Sequence, residues 1–84
     1  MNITFHPQAW DDYLYWQSTD KARLRKLNLL IRDIQRDLFD GLGKPEALKN
    51  DLSGFWSRRI SSEHRLVYRI DDGELVIAQC RGHY

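Results

Sequence analysis

The sequence predicts one α+β domain over residues 1–84: an N-terminal strand, two helices, then an antiparallel sheet of about three further strands. Three observations carry this. Leu24, Leu27, Ile31, Ile34 and Leu38 recur at steps of three and four residues, with Lys21, Arg25, Arg32 and Arg36 largely elsewhere, the signature of an amphipathic helix. From Phe55 onward the pattern turns strand-like in FWSRRI, HRLVYRI and ELVIAQC, separated by SSE and DDG. Between these regions lies DGLGKPE at 40–46, whose two glycines and one proline make an irregular loop.

The elements follow in order. NITF at 2–5 is short and β-prone. Pro7 suits the first turn of a helix, where its missing N–H costs nothing. The helix that follows carries Trp10, Tyr13, Tyr15 and Trp16 around more than one face. Two readings stay open for them: local packing in a small core, or contact with a second copy or partner chain. STD at 18–20 is a cap cluster, so the amphipathic helix runs from about 20 to 37.

Composition bounds the rest. With 42% hydrophobic and 30% charged residues, an ordered domain is expected. The lone Cys80 allows no internal disulfide, which fits a reducing cytoplasm. The N-terminal MNITFHPQAWDD lacks the regions of a signal peptide, and no apolar run is long enough to span a bilayer. A soluble, cytoplasmic protein with no membrane partner is expected. Net charge is +1, which argues against a general nucleic-acid binder. Yet residues 1–20 hold Asp11, Asp12 and Asp20 without Lys or Arg, whereas 44–69 hold Lys44, Lys49, Arg58, Arg59, Arg65 and Arg69 against Glu46, Asp51 and Glu63. That local excess points to a polyanion; a solvated face of scattered charges accounts for it as well.

Three-residue hairpin loops at SSE and DDG place residue 60 opposite 64 and residue 70 opposite 74, with a type I turn and bulge at Gly73. Arg59 then faces Arg65, Arg65 faces Gln79, and Arg59, Arg65, Arg81 and His83 share one side of the sheet. Leu66, Tyr68, Ile70, Val76, Ala78 and Cys80 take the other side, while Val67, Leu75 and Ile77 stay on the basic one. Directly opposed arginines repel, so either a carboxylate such as Glu63 or Glu46 neutralises them or an anion binds there. Guanidinium forks suit phosphate oxygens. Glu46 and His83 then make an acid–base pair of the kind that cuts RNA without a metal or cofactor: a base takes the 2′-hydroxyl proton, an acid protonates the departing 5′-oxygen, and cations hold the phosphorane. The α-carboxylate of Tyr84 favours a charged imidazolium at His83, and the Tyr84 ring can stack on an unpaired base or donate from its hydroxyl. His6 and His64 are assigned structural places, and Cys80 on the core side is inert packing. Zinc is disfavoured because Cys80 and His83 have no second cysteine pair. No phosphate-binding glycine loop occurs.

WDDYLYW at 10–16, GKPEALK at 43–49, LSGFWSRRISSEHRLVY at 52–68 and the closing HY closely resemble the YoeB family of the RelE-like superfamily, toxins of type II toxin–antitoxin systems. The resemblance covers almost the whole chain. It implies a microbial-ribonuclease-like fold and an endoribonuclease that cuts mRNA in the ribosomal A site, blocking translation. It implies a YefM-type antitoxin and a homodimer, for which the aromatics of the first helix are one candidate interface. By position, Glu46 is similar to the family's general base, His83 to its general acid and Arg65 to its phosphate stabiliser, supported by Lys49 and Arg59, with Tyr84 positioning substrate. Two positions depart: Ala47 stands where the family's Glu-Pro-Leu-Lys has proline, which loosens the loop, and Gly82 stands where some relatives have a larger residue, which frees the final turn. The alternative is a non-catalytic toxin or binding module of the same fold, such as a gyrase inhibitor.

Overall fold

The computed structural model describes all 84 residues. Its elements are β1 (Ile3–Phe5), α1 (Pro7–Thr19), α2 (Lys21–Arg36), β2 (Glu46–Ala47), β3 (Trp56–Arg59), β4 (Arg65–Asp71) and β5 (Glu74–Gln79), with a single 3-10 turn at Asn50–Leu52 before β3. The strands form one mixed sheet in the order β1-β5-β4-β3-β2. β1 runs parallel to β5; every other pairing is antiparallel.

The predicted order of elements is the observed one, and α2 lies inside the predicted helix. Asp20 divides the two helices. Its own N–H donates to Trp16 O and its carboxylate accepts from the Arg23 N–H at 3.1 Å, so one residue closes α1 and caps α2. The stripe of α2 is buried at Leu27, Leu30, Ile31 and Ile34. It packs with Ala9 and Trp16 of α1 against Ile60, Leu66, Tyr68, Leu75, Ile77 and Cys80. The aromatics of α1 divide: Trp16 is core, while Trp10 (47% exposed), Leu14 and Tyr15 remain at the surface. Trp10 lies parallel to Tyr13 with ring centres 5.6 Å apart, and Phe5 meets both edge-on.

Three expectations need correction. Glu46–Ala47, read as irregular loop, is a short edge strand against Trp56 and Ser57. The DDG hairpin has a two-residue loop: Asp71 faces Glu74 and Ile70 faces Leu75, with Asp72 and Gly73 at φ +51° and +79°, the conformation that Asp-Gly adopts in tight hairpins matching strand twist. Leu75 and Ile77 therefore belong to the core, and Val76 to the opposite side. Between Val67 and Tyr68 the register then slips, so that Ala78 is the extra residue of a bulge and Gln79 faces Val67 rather than Arg65. The bulge resets the alternation and returns Cys80 to the core. The other hairpin matches its prediction: Arg59 faces Arg65, and the Ile60 N–H donates to His64 O.

The largest fully buried side chain is charged. Arg58 has no exposed surface, and its Nε donates to Tyr68 Oη (3.2 Å), Nη1 to Asp33 Oδ2 (2.7 Å) and Leu42 O (3.2 Å), and Nη2 to Asp37 O (2.7 Å) and Asp40 O (3.1 Å). Tyr68 Oη in turn donates a hydrogen bond to Leu38 O at 2.9 Å. One guanidinium thus ties the end of α2 and the following loop to the sheet. The loop closes on Gly43, whose carbonyl accepts from the Arg59 N–H. At φ +80°, with Leu30 Cδ2 only 2.8 Å from where a Cβ would stand, Gly43 admits no other residue without rearrangement.

Arg58→Met should destabilise the fold by about 3–5 kcal/mol, because it removes one of the three donors to Asp33 and the guanidinium partner of the Asp37, Asp40 and Leu42 carbonyls; urea unfolding measures this. Asp33 supplies a pH signature. Hydrogen bonds from Arg36, then from the Leu42 N–H and Arg58, hold its carboxyl well below the usual carboxylate range. A depressed folded-state pKa stabilises fully above the unfolded value near ~4 and loses that stabilisation as pH falls further. Stability should therefore fall below about pH 4 more steeply in the wild type than in Asp33→Asn.

Candidate active site

On β3 and β4 the side chains alternate between the two sides of the sheet. Trp56, Arg58, Leu66 and Tyr68 face the helices; Ser57, Arg59, Arg65 and Val67 take the opposite side, where β2 adds Glu46 across from Ser57. The site is assembled on this second side.

Tyr84 is its hub. Its hydroxyl donates to Glu46 Oε1 at 3.1 Å and lies 3.3 Å from Ser57 Oγ. Its ring centre is 4.8 Å from that of His83, whose Nδ1 sits 2.9 Å from the Tyr84 main-chain oxygen. Glu46, Lys49 and Tyr84, with Ala47, Leu48, Asn50 and Leu52, line a groove of about 400 Å³. Glu46, Lys49, Tyr84 and His83 are all exposed.

Arg65 is different in kind, being 9% exposed. Its Nη1 donates to Ser61 O (2.7 Å), Ser62 O (3.2 Å) and His64 O (3.3 Å), the carbonyls of the β3–β4 loop. That leaves Nε and Nη2 without a protein acceptor, and since no buried polar side-chain atom lacks a partner, both reach solvent. Arg59 lies opposite and is exposed. The four ion pairs of the molecule join other residues: Arg23–Asp20, Arg36–Asp33, Arg58–Asp33 and Arg69–Asp71. Neither Glu63 nor Glu46 neutralises the Arg59–Arg65 pair. Two cations thus stand opposite one another with no carboxylate between them, an arrangement with the chemistry to hold an anion.

Arg81 lies elsewhere. Its guanidinium carbon is 3.6 Å from the centre of the Tyr15 ring on α1, so the expected grouping with Arg59, Arg65 and His83 does not hold. The reason is that β5 stops at Gln79, just beyond the bulge, and the chain leaves the sheet before Arg81. α1 captures the departing segment. Asp12 Oδ2 accepts the Cys80 N–H at 3.1 Å, Trp16 Nε1 donates to Cys80 O at 2.8 Å, and the Cys80 thiol donates to Ala9 O. Burial pushes the Asp12 carboxyl up, against the lowering effect of the Cys80 N–H and Arg81. Burial also pushes the Cys80 thiol up to about 12, so it stays neutral and unreactive at physiological pH. Gly82, expected to loosen the final turn, is held at both main-chain groups: its N–H donates to His64 Nδ1 (2.8 Å) and its carbonyl accepts from the Arg65 N–H (2.9 Å).

The sequence reading missed Ser57, Asp12 and Trp16. Ser57 was signalled only by the β2–β3 register. The other two act through main-chain atoms of Cys80, which leave no trace in residue type.

The fold and the single-sided cluster of Glu46, Arg59, Arg65 and Tyr84 define a small RelE-like α+β protein. YafQ from Escherichia coli, in its H87Q form, superposes with a TM-score of 0.78 over 98% of this chain and 92% of that one at 17% identity, a likeness of fold alone. The chain belongs to the YoeB-like toxins of bacterial type II toxin–antitoxin systems, whose family model matches residues 5–84. It is 58% identical over 84 residues to Toxin YoeB of Escherichia coli strain K12, covering 100% of both chains. It is 60% identical to Toxin YoeB of Synechocystis, covering 100% of this chain and 98% of that one. Among solved structures, the YoeB/ParE toxin from Agrobacterium tumefaciens superposes with a TM-score of 0.98 at 50% identity over 100% of both chains. The toxin in the heterotetrameric YoeB–YefM complex of Staphylococcus aureus superposes at 0.93 with 52% identity, covering 100% of this chain and 98% of that one. The Staphylococcus aureus toxin has also been solved as a dimer.

Because the Tyr84 hydroxyl bonds at an exposed edge, Tyr84→Phe should keep the melting free energy within about 1 kcal/mol of wild type. A larger loss by thermal melt would mark Tyr84 as a structural strut.

Proposed function

We propose that this toxin is a metal-independent endoribonuclease that cuts mRNA in the ribosomal A site and so blocks translation. The observation that carries the reading is the Arg59–Arg65 pair without a carboxylate, on the same side of the sheet as Glu46. Membership of the YoeB-like toxins supports the same reading.

In this mechanism Glu46 removes the 2′-hydroxyl proton, using the oxygen that Tyr84 leaves free. The 2′-oxygen attacks the adjacent phosphorus and the bond to the 5′-oxygen breaks. His83 delivers a proton to that oxygen, giving a 2′,3′-cyclic phosphate and a 5′-hydroxyl. The solvent-facing donors of Arg65, with Arg59 and Lys49, stabilise the charge gathering on the phosphorane. Tyr84 orients Glu46 and offers its ring to a base. A YefM-type antitoxin neutralises the site, and the toxin acts as a homodimer, as the solved relatives are paired.

A net charge of +1 gives weak affinity for free RNA, because affinity follows the number of phosphates neutralised. The ribosome supplies the missing affinity and holds mRNA in attack geometry. Primer extension on mRNA in a purified ribosome complex tests this. Wild type should cut within the A-site codon and naked RNA far more slowly. His83→Gln should cut roughly 100- to 10,000-fold more slowly, the usual worth of acid–base catalysis, with an unchanged melt. Intact mRNA with a folded wild type would overturn the reading, and gyrase supercoiling would then be the assay to run.

A further inference from the structure

We propose that His64 is a positioning residue for His83, acting through the main chain of Gly82; this rests on the reading of His83 as the general acid. An Nδ1 that accepts the Gly82 N–H at 2.8 Å carries no proton, so His64 is here the tautomer protonated on Nε2. Its ring is braced edge-on by Trp16, with centres 4.8 Å apart at 79°. The same Trp16 donates from Nε1 to Cys80 O, two residues before Gly82. The residue after His64 closes the arrangement, since the Arg65 N–H donates to Gly82 O at 2.9 Å.

Gly82 is therefore gripped from both sides by consecutive residues of β4's leading edge. It sits at φ +82°, and a Cβ there would meet nothing within 4 Å, so no side-chain packing holds it. The hydrogen bonds at its two main-chain groups do. His83 follows immediately and is exposed, and its hydrogen bond and its ring contact are both with Tyr84. Its distance from Arg65 is thus set by the Gly82 node. The Nδ1 bond aligns the proposed proton donor with the proposed phosphate clamp, because both are attached to the same pair, His64 and Arg65. A displacement of about 1 Å in a reacting group costs on the order of 100-fold in rate.

Two substitutions isolate the acceptor. Leucine removes it; asparagine places Oδ1 where Nδ1 stands. In the full-length protein, His64→Leu should shift the Gly82 amide proton upfield and abolish its protection from exchange, and His64→Asn should restore both. In single-turnover cleavage of ribosome-held mRNA, His64→Leu should lower the maximal rate roughly 10- to 100-fold, with half-saturation within about threefold, and His64→Asn should recover most of it. A cleaving wild type whose His64→Leu variant retains the Gly82 amide protection, or the wild-type rate per folded molecule, overturns this proposal alone. Loss in both variants in step with the folded fraction also overturns it, by making His64 a packing residue. If wild type leaves mRNA intact, the nuclease reading falls and takes this proposal with it.

Discussion

A single buried guanidinium holds the architecture in place. Arg58 offers five donors and meets five acceptors, only one of them a carboxylate. Three of them, the carbonyls of Asp37, Asp40 and Leu42, belong to the segment after α2; the other two lie on α2 itself (Asp33) and on β4 (Tyr68). Removing a charge from water is costly, and the compensation here comes from backbone carbonyls of the loop after α2. Leu38 packs on the core and the Phe39 ring lies 4.7 Å from that of Trp56, but Phe39 and Leu42 remain exposed. Polar geometry adds to these contacts in fixing the loop, and its course decides where β2 and Glu46 begin.

The same strand carries a contrasting arginine one residue later. Arg58 and Arg59 differ by the side of the sheet they take, and their fates separate entirely. On the helix side a cation must be satisfied inside the molecule or the fold fails. On the other side Arg59 and Arg65 stand opposed with no internal anion. Simple alternation along one strand thus neutralises one arginine fully and leaves its neighbour without an ion pair. Arg65 is intermediate: carbonyls orient it through Nη1 while its remaining donors stay available. Such anchoring lowers the entropy of the group before any ligand arrives.

Much of this was legible in the residues. The stripe of α2, the caps at Asp20 and the Arg59–Arg65 opposition follow from periodicity and from one loop length. The β4–β5 register did not, because DDG is compatible with both a two- and a three-residue loop, and a later bulge conceals which was used. The bulge restores the side assignment of Cys80 but not the pairing of Gln79, so an incorrect register still sorted some residues correctly. Arg81 was misplaced for a different reason, because β5 ends at Gln79 and the chain leaves the sheet before it. Arg58 could have been found: once Arg59 is assigned to the outer side, its neighbour must point at the core, and a core arginine demands a carboxylate on a helix. The bonds to Cys80 and Gly82 could not, since main-chain donors and acceptors carry no residue signature.

The position of β5 in the sheet has a consequence for biogenesis. It lies between β1 and β4, pairing with a strand more than seventy positions earlier in the chain (Ile3 with Leu75). During synthesis the chain emerges from its first residue onward, so β1, α1, α2 and β2–β4 all leave the ribosome before the strand that joins them. Until then the sheet is two unconnected pieces, and the helices have only half a surface to cover. Closure of so long a loop comes late in folding, because its entropic cost precedes its contacts. The final residues, which would carry the chemistry, follow that strand. The site proposed for that chemistry therefore cannot assemble before β5 has emerged and paired.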